Sequence, residues 1–327
     1  MNTFGRKLRL SIWGESHGPA LGVVIDGVPA GIEIGTADFM ADIERRQGGK
    51  AHTTPRIESD TPTLLSGIYQ GHTTGAPLSI LFHNQAQQSS DYETLATTPR
   101  PGHADWVAAH KFGGLNDPRG GGHFSGRLTL PLVAAGVVAK KILALRAPEL
   151  KIEAHIVELG GSGDKECWGD ILAAAAAKGD SVGAIVECRA EGMPIGLGEP
   201  FFDSLEGLLA HAAFAIPGIR GVEFGDGFGA ARSYGSTHND AIVAPDGTTA
   251  TNHAGGINGG LSNGNPLVMR VAFKPTSSIA LAQQSLNTAT GKVEPLDIGG
   301  RHDVCIALRG AVVVEAVVAI VLADCIL

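Results

Sequence analysis

The stretch Trp13-Gly14-Glu15-Ser16-His17-Gly18-Pro19-Ala20-Leu21-Gly22 organises the first part of the chain. It follows an alternating polar and apolar run at residues 7–12 and precedes an apolar run at residues 21–25, and both runs predict strands. The glycines between the runs let the backbone approach a ligand closely. His17 is the one side chain in the stretch whose charge can change near neutral pH. The pattern therefore predicts a functional loop between two strands.

The spacing Gly14-x-Ser16-x-Gly18 also matches the nucleophile elbow of the α/β hydrolases. That motif needs a long helix directly after the serine, whereas residues 22–27 are typical of a strand and a turn. A hydrolase that uses Ser16 as its nucleophile is therefore only a distant alternative.

The composition narrows the class of protein. The chain has 327 residues, 43% of them hydrophobic, and its net charge of −8 argues against a generic nucleic-acid binder. The four cysteines form no C-x-x-C pair and the first twenty residues contain no apolar signal core, so we expect a reduced cytoplasmic protein. The apolar run at residues 311–327 is short and interrupted by Glu315 and Asp324, which favours a buried helix over a membrane span.

A basic cluster overlaps the end of the first predicted helix, residues 36–47, in which Thr36 is the expected cap and Asp38 lies in the first turn. Arginines in a last turn can interact with the helix dipole, which accounts for one or two of the charges. Five basic or imidazole groups within twelve residues indicate a site for a doubly charged anion: Arg45, Arg46, Lys50, His52 and Arg56.

A second basic group surrounds the triple glycine Gly120-Gly121-Gly122. Three glycines weaken any helix or strand, but their backbone N–H groups can form an anion-binding nest. A helix predicted at about residues 128–145 would add its N-terminal dipole. The preceding polar segment, residues 85–98, predicts a mobile loop or a lid. The basic or imidazole members of the group are Arg100, His103, His110, Lys111, Arg119, His123 and Arg127.

Two further polar segments lie in the last third of the chain. Lys274-Pro275-Thr276-Ser277-Ser278 is equally consistent with a phosphate clasp and with the cap of a helix that starts near Ser277. Asp303 follows Arg301 and His302 and is expected to be ionised, which suits a proton acceptor or, alternatively, a local ion pair. A strand at residues 304–308 and a closing helix are predicted after it.

Strands and helices are mixed without a regular βαβ period, and no linker divides the chain. We therefore predict one α+β domain over residues 1–327. The histidine spacings match no metal site. Further strands are predicted at 63–69, 78–83, 151–159, 182–189, 221–224 and 267–273. Further helices are predicted at 168–177 and 205–214, and a short helix follows Trp106 and ends at Lys111.

Taken together, these segments resemble the chorismate synthase family over nearly the whole chain. Each motif alone is weak, but their shared order and spacing are very specific. The motifs are Gly14-Glu15-Ser16-His17-Gly18, Arg45-Arg46, Arg100-Pro101-Gly102-His103-Ala104-Asp105, Arg119-Gly120-Gly121-Gly122, Gly225-Asp226-Gly227, Asn252-His253-Ala254-Gly255-Gly256, Lys274-Pro275-Thr276-Ser277-Ser278 and Gly300-Arg301-His302-Asp303.

The resemblance implies a reaction and a cofactor. The reaction is the anti-1,4-elimination of phosphate from 5-enolpyruvylshikimate 3-phosphate, which gives chorismate in the last step of the shikimate pathway. The family requires reduced FMN, with NADPH as a conceivable reductant of the flavin. The resemblance also implies a sandwich of helices between two antiparallel sheets and a homotetramer.

Positions matching the family motifs imply residue roles. His17 would donate a proton toward the leaving phosphate, His103 would lie beside the flavin and support its reduced, anionic form, and Asp303 would help to take the C6 proton by way of flavin N5. The ligand anions would be held by Arg45, Arg46, Arg127 and Arg301, with Ser16 orienting the substrate. The FMN site would be lined by His103, His123, Phe124, Ser125, Pro217, Gly218, Gly259, Lys274, Pro275, Thr276, Ser277, Ser278 and Arg301.

The chain departs from the commonest family pattern in two places. His123-Phe124-Ser125-Gly126-Arg127-Leu128-Thr129 stands where many members carry Arg-Ser-Ser-Ala-Arg-Glu-Thr, and the segment after Arg46 is shortened. The FMN phosphate contacts and any nicotinamide-dependent reduction of the flavin are the roles these changes affect most. A flavin-binding paralogue without elimination activity is therefore the main rival interpretation.

Overall fold

A computed structural model describes residues 2–85, 95, 97–298 and 302–327 of the chain. Its strands are β1 Thr3–Phe4, β2 Arg9–Gly14, β3 Ala20–Asp26, β4 Thr63–Ser66, β5 Ile68–Tyr69, β6 His72–Thr73, β7 Leu78–His83, β8 Lys151–Leu159, β9 Ala184–Glu191, β10 Ile219–Phe224, β11 Ile257–Asn258, β12 Leu261–Ser262, β13 Leu267–Phe273, β14 Gln283–Asn287 and β15 Lys292–Leu296. They form two main antiparallel sheets, in the orders β1-β2-β3-β7-β4 and β10-β13-β9-β8, and three two-stranded hairpins.

The helices belong to the connections between these strands and to the end of the chain. Short 3₁₀ turns precede several of them, including one at Arg119–Phe124. The α-helices are α1 Thr36–Arg46, α2 Asp105–Lys111, α3 Thr129–Arg146, α4 Trp168–Ala177, α5 Leu205–Ala213, α6 Gly235–His238 and α7 Ala307–Ile326.

Helices α3 and α7 pack against each other between the two sheets. Helix α3 contacts β2 and β3 of the first sheet, and α7 contacts β8 and β9 of the second. The layers therefore run sheet, helix, helix, sheet, which confirms the predicted α+β sandwich. A Cβ on Gly136 of α3 would stand only 2.3 Å from the Cβ of Ala316 of α7, so this close approach requires glycine.

Helices α3 and α7 are apolar on most sides because both are buried in this core. The helical stretch Arg119–Arg146 is long and apolar enough to cross a membrane, but 78% of its apolar window is buried inside the protein. Nearly all of α7 is buried as well, which confirms the buried helix expected at residues 311–327. A helix that is apolar on all sides is typical of the centre of a large domain.

Glu315, a buried carboxylate of α7, joins several elements. It accepts two hydrogen bonds from Arg45 of α1, at 2.9 and 2.8 Å, and one from the backbone N–H of Ala154 in β8 at 3.3 Å. It also forms an ion pair with Lys140 of α3. Because a buried carboxylate is tolerated only when it is paired, these contacts fix the relative positions of α1, α3, α7 and β8.

Asp324, the second buried carboxylate of α7, holds the start of the chain. It accepts the backbone N–H groups of three successive residues: Arg6 at 3.0 Å, Lys7 at 2.7 Å and Leu8 at 2.8 Å. Successive N–H groups that converge on one carboxylate form an anion nest. This contact anchors the segment between β1 and β2 to the last helix.

Most predicted elements are confirmed, with shifts of one to two residues at several ends. Three local predictions are wrong. Thr36 does not cap α1, because Gly35 takes that position and its N–H is bound by Asp38 at 2.7 Å. No helix starts near Ser277, since the segment between β13 and β14 is irregular.

The third wrong prediction is the strand at residues 304–308. Helix α7 already begins at Ala307, and the N–H groups of Leu308 and Arg309 bond back to Cys305 and Ile306. The β-branched residues suggested a strand, but Asp303 pairs with Arg309, which lies on the first turn of α7. The loop predicted as a lid at residues 85–98 falls largely outside the described residues.

We predict that Asp324→Asn destabilises the fold. The amide carries no negative charge, and its nitrogen replaces one of the two oxygens that accept the N–H of Arg6, so the free energy of unfolding should fall by about 2 kcal/mol. Denaturant titration measures the change. Asp246→Asn is the control, because exposed Asp246 accepts a single backbone hydrogen bond from Thr248; equal effects of the two substitutions would contradict an anchoring role for Asp324.

Candidate active site

A cavity of about 730 Å³ lies beside the buried end of the Ser16 loop. Its walls come from β1 and β2, from the residues that follow α5, and from one face of α7. Six cationic side chains and three carboxylates of the described residues line it: Arg46, Arg56, Arg100, Arg127, Lys274 and Arg309, and Glu58, Asp60 and Asp303. This excess of positive charge suits a ligand with several negative charges.

The triple glycine lies against the Ser16-His17 loop. Gly120, Gly121 and Gly122 all have positive φ, at 58°, 81° and 52°. The N–H of Ser16 donates to the carbonyl of Gly122 at 3.1 Å, and a Cβ on Gly120 would stand 2.4 Å from two ring atoms of His17. Glycine is therefore required here both by the backbone conformation and by the imidazole.

His17 is buried directly behind Gly120, whereas Ser16 and Gly120 line the cavity. Burial lowers the pKa of His17, and the nearby cations Arg56 and Arg119 lower the pKa further. His17 is therefore neutral at pH 7 in the ligand-free protein. No helix follows the serine, because β3 begins at Ala20, so the geometry of a nucleophile elbow is not formed.

Arg127 is held by a buried acidic pair. It donates to Asp60 at 2.6 Å, to Glu58 at 3.1 Å and to the amide oxygen of Asn84 at 3.1 Å. Burial acts to raise the pKa of Glu58, but Arg127, the N–H of Gln85 and Arg56 outweigh it, and the pKa stays below its usual value. Glu58 therefore remains an anion that keeps the guanidinium group in place.

Arg46 lies next to this pair and is almost fully buried. Its Nε donates to Thr129 at 2.8 Å and one terminal nitrogen donates to the carbonyl of Gly126 at 3.1 Å. Burial, and then the neighbouring Arg309, lower the pKa of Arg46. An anion in the cavity would relieve this repulsion between cations.

Asp303 is buried and ion-paired. Its carboxylate accepts from Arg309 at 2.9 and 2.8 Å and from the N–H of Thr54 at 2.9 Å. The predicted ion pair near the turn is thus present, but its partner is Arg309, whereas Arg301 lies outside the described residues. Asp303 lines the cavity, so the carboxylate still faces the ligand space.

His103 lines the same cavity as Arg100 and contacts Asp105. Its Nδ1 is 2.5 Å from the carboxylate of Asp105, which also accepts two hydrogen bonds from Arg100, at 2.7 and 2.8 Å. Another terminal nitrogen of Arg100 donates a hydrogen bond to the hydroxyl of Ser278 at 3.0 Å. This chain of contacts connects the His103 loop to the Lys274–Ser278 segment.

The Lys274–Ser278 segment curves around the carbonyl of Gly102, which accepts from Lys274 at 2.5 Å and from Ser277 at 2.8 Å. Burial, and then Arg220, lower the pKa of Lys274. The hydroxyl of Thr276 is buried without a hydrogen-bond partner in the described part of the chain. A ligand rich in oxygen atoms would form hydrogen bonds with both the ammonium group of Lys274 and the hydroxyl of Thr276.

The other predicted cofactor residues also line the cavity, apart from Gly259 and from Arg301, which lies outside the described residues. His123 donates from Nδ1 to the carbonyl of Gly14 at 2.7 Å, which ties it to the end of β2. Ser125 caps a turn by accepting the N–H of Arg127 at 3.3 Å. Phe124 is partly exposed. Pro217 and Gly218 line the same cavity.

Three predicted residues of the described part of the chain, His17, Arg45 and Gly259, do not line this cavity. Arg45 is paired with Asp42 and Glu315, outside the cavity, so the earlier assignment of Arg45 to ligand binding has no geometric support. Gly259 lies in the turn between β11 and β12, likewise away from the lining. Arg301 belongs to the residues that are not described.

Sequence reasoning missed several lining residues. Arg56 and Arg100 are not among them, because both belong to the basic clusters predicted from the sequence, and both line the cavity. Arg56 pairs with Glu58, and its buried Nε has no hydrogen-bond partner among the described residues. Nothing in the sequence marked Glu58, Asp60 or Arg309, because only the folded chain brings them beside the arginines.

Comparison with known proteins agrees with this geometry. A family model described as chorismate synthase matches residues 8–327. The chorismate synthase of Chitinophaga pinensis is 59% identical over 324 residues, which cover 99% of this chain and 96% of that protein. The chain belongs to the chorismate synthase family.

Other chorismate synthases support the same assignment. The chorismate synthase of Archaeoglobus fulgidus is 45% identical over 356 residues, covering 100% of this chain and 97% of that protein. A crystal structure of chorismate synthase superposes with a TM-score of 0.75 at 28% identity, covering 98% of this chain and 92% of that one. The resemblance inferred from the motifs is thus confirmed, and the chain is a carbon–oxygen lyase that acts on phosphates.

We predict that Gly120→Ala lowers kcat strongly. A side chain at this position pushes on the ring of His17 and on the hydroxyl of Ser16, in addition to the cost of a positive φ. Gly113→Ala is a matched control, because Gly113 has nearly the same φ, 60° against 58°, and has nothing within 4 Å of its Cβ position.

Steady-state kinetics and thermal unfolding of both variants separate the two effects. Both should lose similar stability from the backbone strain, whereas only Gly120→Ala should lose turnover. Equal turnover in the two variants would remove the contact between Gly120 and His17 from any functional account.

Proposed function

We propose that the cavity carries out the family reaction, the elimination of phosphate from 5-enolpyruvylshikimate 3-phosphate to give chorismate. The observation that carries this proposal is the set of six cationic side chains around a cavity whose wall contains Ser16 and Gly120, with the ring of His17 directly behind Gly120. The substrate carries a phosphate and two carboxylates, so its binding requires several cations. An allylic phosphate also leaves more readily when a proton is supplied to it.

On the substrate side, Arg46, Arg56 and Arg127 hold the anionic groups and His17 protonates the departing phosphate. Arg127 is rigid, because Asp60 and Glu58 fix it before the substrate arrives. Ser16, at the wall, orients the substrate. Asp303, oriented by Arg309, serves the removal of the C6 proton.

The residues present also fit a phosphorylated flavin. The segment Lys274–Ser278 offers a cation, hydroxyl groups and the unpartnered oxygen of Thr276, and Arg100 continues this polar wall. His103, His123, Phe124, Ser125, Pro217 and Gly218 would line the rest of the FMN site. When bound, reduced FMN supplies the electron-rich ring that the family reaction requires. We also propose NADPH as the reductant of this flavin.

The remaining features of the family are proposed for the whole chain. We expect a cytoplasmic protein with one domain over residues 1–327 that assembles as a homotetramer. Several large apolar side chains are exposed in the described part of the chain, among them Phe201, Phe202, Phe228 and Tyr234. Exposed apolar groups of this size favour an interface between subunits.

An anaerobic assay with chemically reduced FMN tests the function. We expect chorismate and phosphate in equal amounts from 5-enolpyruvylshikimate 3-phosphate, and no product when the flavin is omitted or oxidised. Flavin binding without product would favour the silent paralogue. Release of phosphate without flavin, abolished by Ser16→Ala, would favour the hydrolase.

Substrate binding should also take up a proton at His17. The pKa of His17 is lowered in the free protein, so the ring is neutral at pH 7, and a nearby phosphate dianion raises that pKa. Calorimetric titration in buffers of different ionisation enthalpy measures the uptake, which should decline as the pH rises further above 7. His17→Gln should bind substrate with less proton uptake and should lower kcat by about 10²-fold; unchanged uptake would show that the proton goes elsewhere.

A further inference from the structure

Asp105, at the start of α2, is a partly buried carboxylate with several hydrogen bonds near the cavity. Its two carboxylate oxygens accept from the backbone N–H of Arg100 at 3.1 Å and from the Arg100 guanidinium at 2.7 and 2.8 Å. The same carboxylate is 2.5 Å from Nδ1 of His103. Among the described residues, the hydrogen bonds of Asp105 thus come from Arg100 and from His103.

These contacts determine where the proton of His103 lies. Burial acts to raise the pKa of Asp105, but hydrogen bonds from Arg100 and His103 outweigh it and hold the pKa well below its usual range. Asp105 is thus a carboxylate that can only accept. A nitrogen 2.5 Å from it must carry a hydrogen, so Nδ1 of His103 is protonated.

Arg100 offers no alternative arrangement for this proton. One of its terminal nitrogens is 3.0 Å from Nδ1 of His103, but a guanidinium group can only donate. Two donors facing each other do not form a hydrogen bond, and the same Arg100 nitrogen has the Asp105 oxygen at 2.8 Å as its acceptor. The guanidinium and the imidazole therefore share one carboxylate.

Gly121 lies close to the other edge of the ring, where a Cβ would stand 3.0 Å from Cε1 and 3.2 Å from Nε2 of His103. The absence of a side chain at this position keeps the Nε2 edge from being covered. His103 lines the main cavity. With Nδ1 committed to Asp105, Nε2 is the ring atom that can gain or lose a proton there.

We propose that Asp105 is a positioning residue for His103: it fixes the hydrogen on Nδ1, so that Nε2 alone exchanges protons with a ligand in the cavity. Arg100 supports this arrangement by holding the carboxylate in the plane that His103 needs. The proposal concerns the tautomer of His103 and rests on the proposed function only for the catalytic value of that tautomer.

Nuclear magnetic resonance of protein labelled with ¹⁵N-histidine tests the tautomer directly. We expect a protonated Nδ1 with a strongly downfield, hydrogen-bonded proton, and an unprotonated Nε2 in the neutral ring. His103→Gln assigns the signals by their loss. The opposite tautomer in the native protein, with the hydrogen on Nε2, would overturn the proposal without any need for a variant.

Substitution of Asp105 then tests the cause. Asp105→Asn should abolish the downfield Nδ1 proton, shift the pH profile of kcat and lower kcat by about 10²-fold, with little change in KM. Asp105→Glu should restore part of the signal. Asp117→Asn is the matched control, because Asp117 is held by Arg119 at 2.9 and 2.8 Å and should leave the His103 signal in place.

The outcomes separate this proposal from the proposed function. If the Nδ1 proton is present and depends on Asp105, but His103→Gln turns over normally, the positioning holds and the role of His103 in the reaction is wrong. If His103→Gln is inactive while Asp105→Asn retains the native signal and pH profile, Asp105 is merely structural and the inference fails.

Discussion

The constraint on which this structure depends is the burial of cations before any ligand is bound. A polyanionic substrate requires several arginines, but an unpaired buried guanidinium is too costly to keep in a folded protein. The chain meets this requirement by giving its arginines carboxylate partners: Arg127 has Asp60 and Glu58, Arg309 has Asp303, and Arg100 has Asp105. These pairs also orient the side chains, so that little reorganisation is needed when the ligand binds.

The core supplies the rigidity that such pairs need. Helices α3 and α7 lie between the sheets, and each of the ion pairs at Glu315 and Arg127 joins elements that are far apart in sequence. The cavity is built where these elements end, from loops rich in glycine. Gly120 illustrates the principle, since its missing side chain provides the space that the ring of His17 occupies.

The sequence was informative where local physics decides the structure. Alternating or periodic apolar residues predicted β3, α3 and β13 well, and the motif order identified the family. The sequence was misleading at residues 304–308. Its β-branched residues favoured a strand, but tertiary burial favours the helix α7, which begins at Ala307. The partners of Arg127 could not be predicted, because Glu58 and Asp60 lie 69 and 67 residues away in sequence and no spacing rule relates them to it. Arg45 shows the reverse error, since a cation in a promising motif proved to stabilise α7 through Glu315.

The contact between Asp324 and residues 6–8 also constrains how the protein is made. The donors leave the ribosome more than 300 residues before their acceptor, which is separated from them by 316 to 318 positions. Because α7 covers β8 and β9, the second sheet cannot bury its inner face until the last helix has been synthesised. The apolar strands of that sheet therefore stay exposed while the rest of the chain is made.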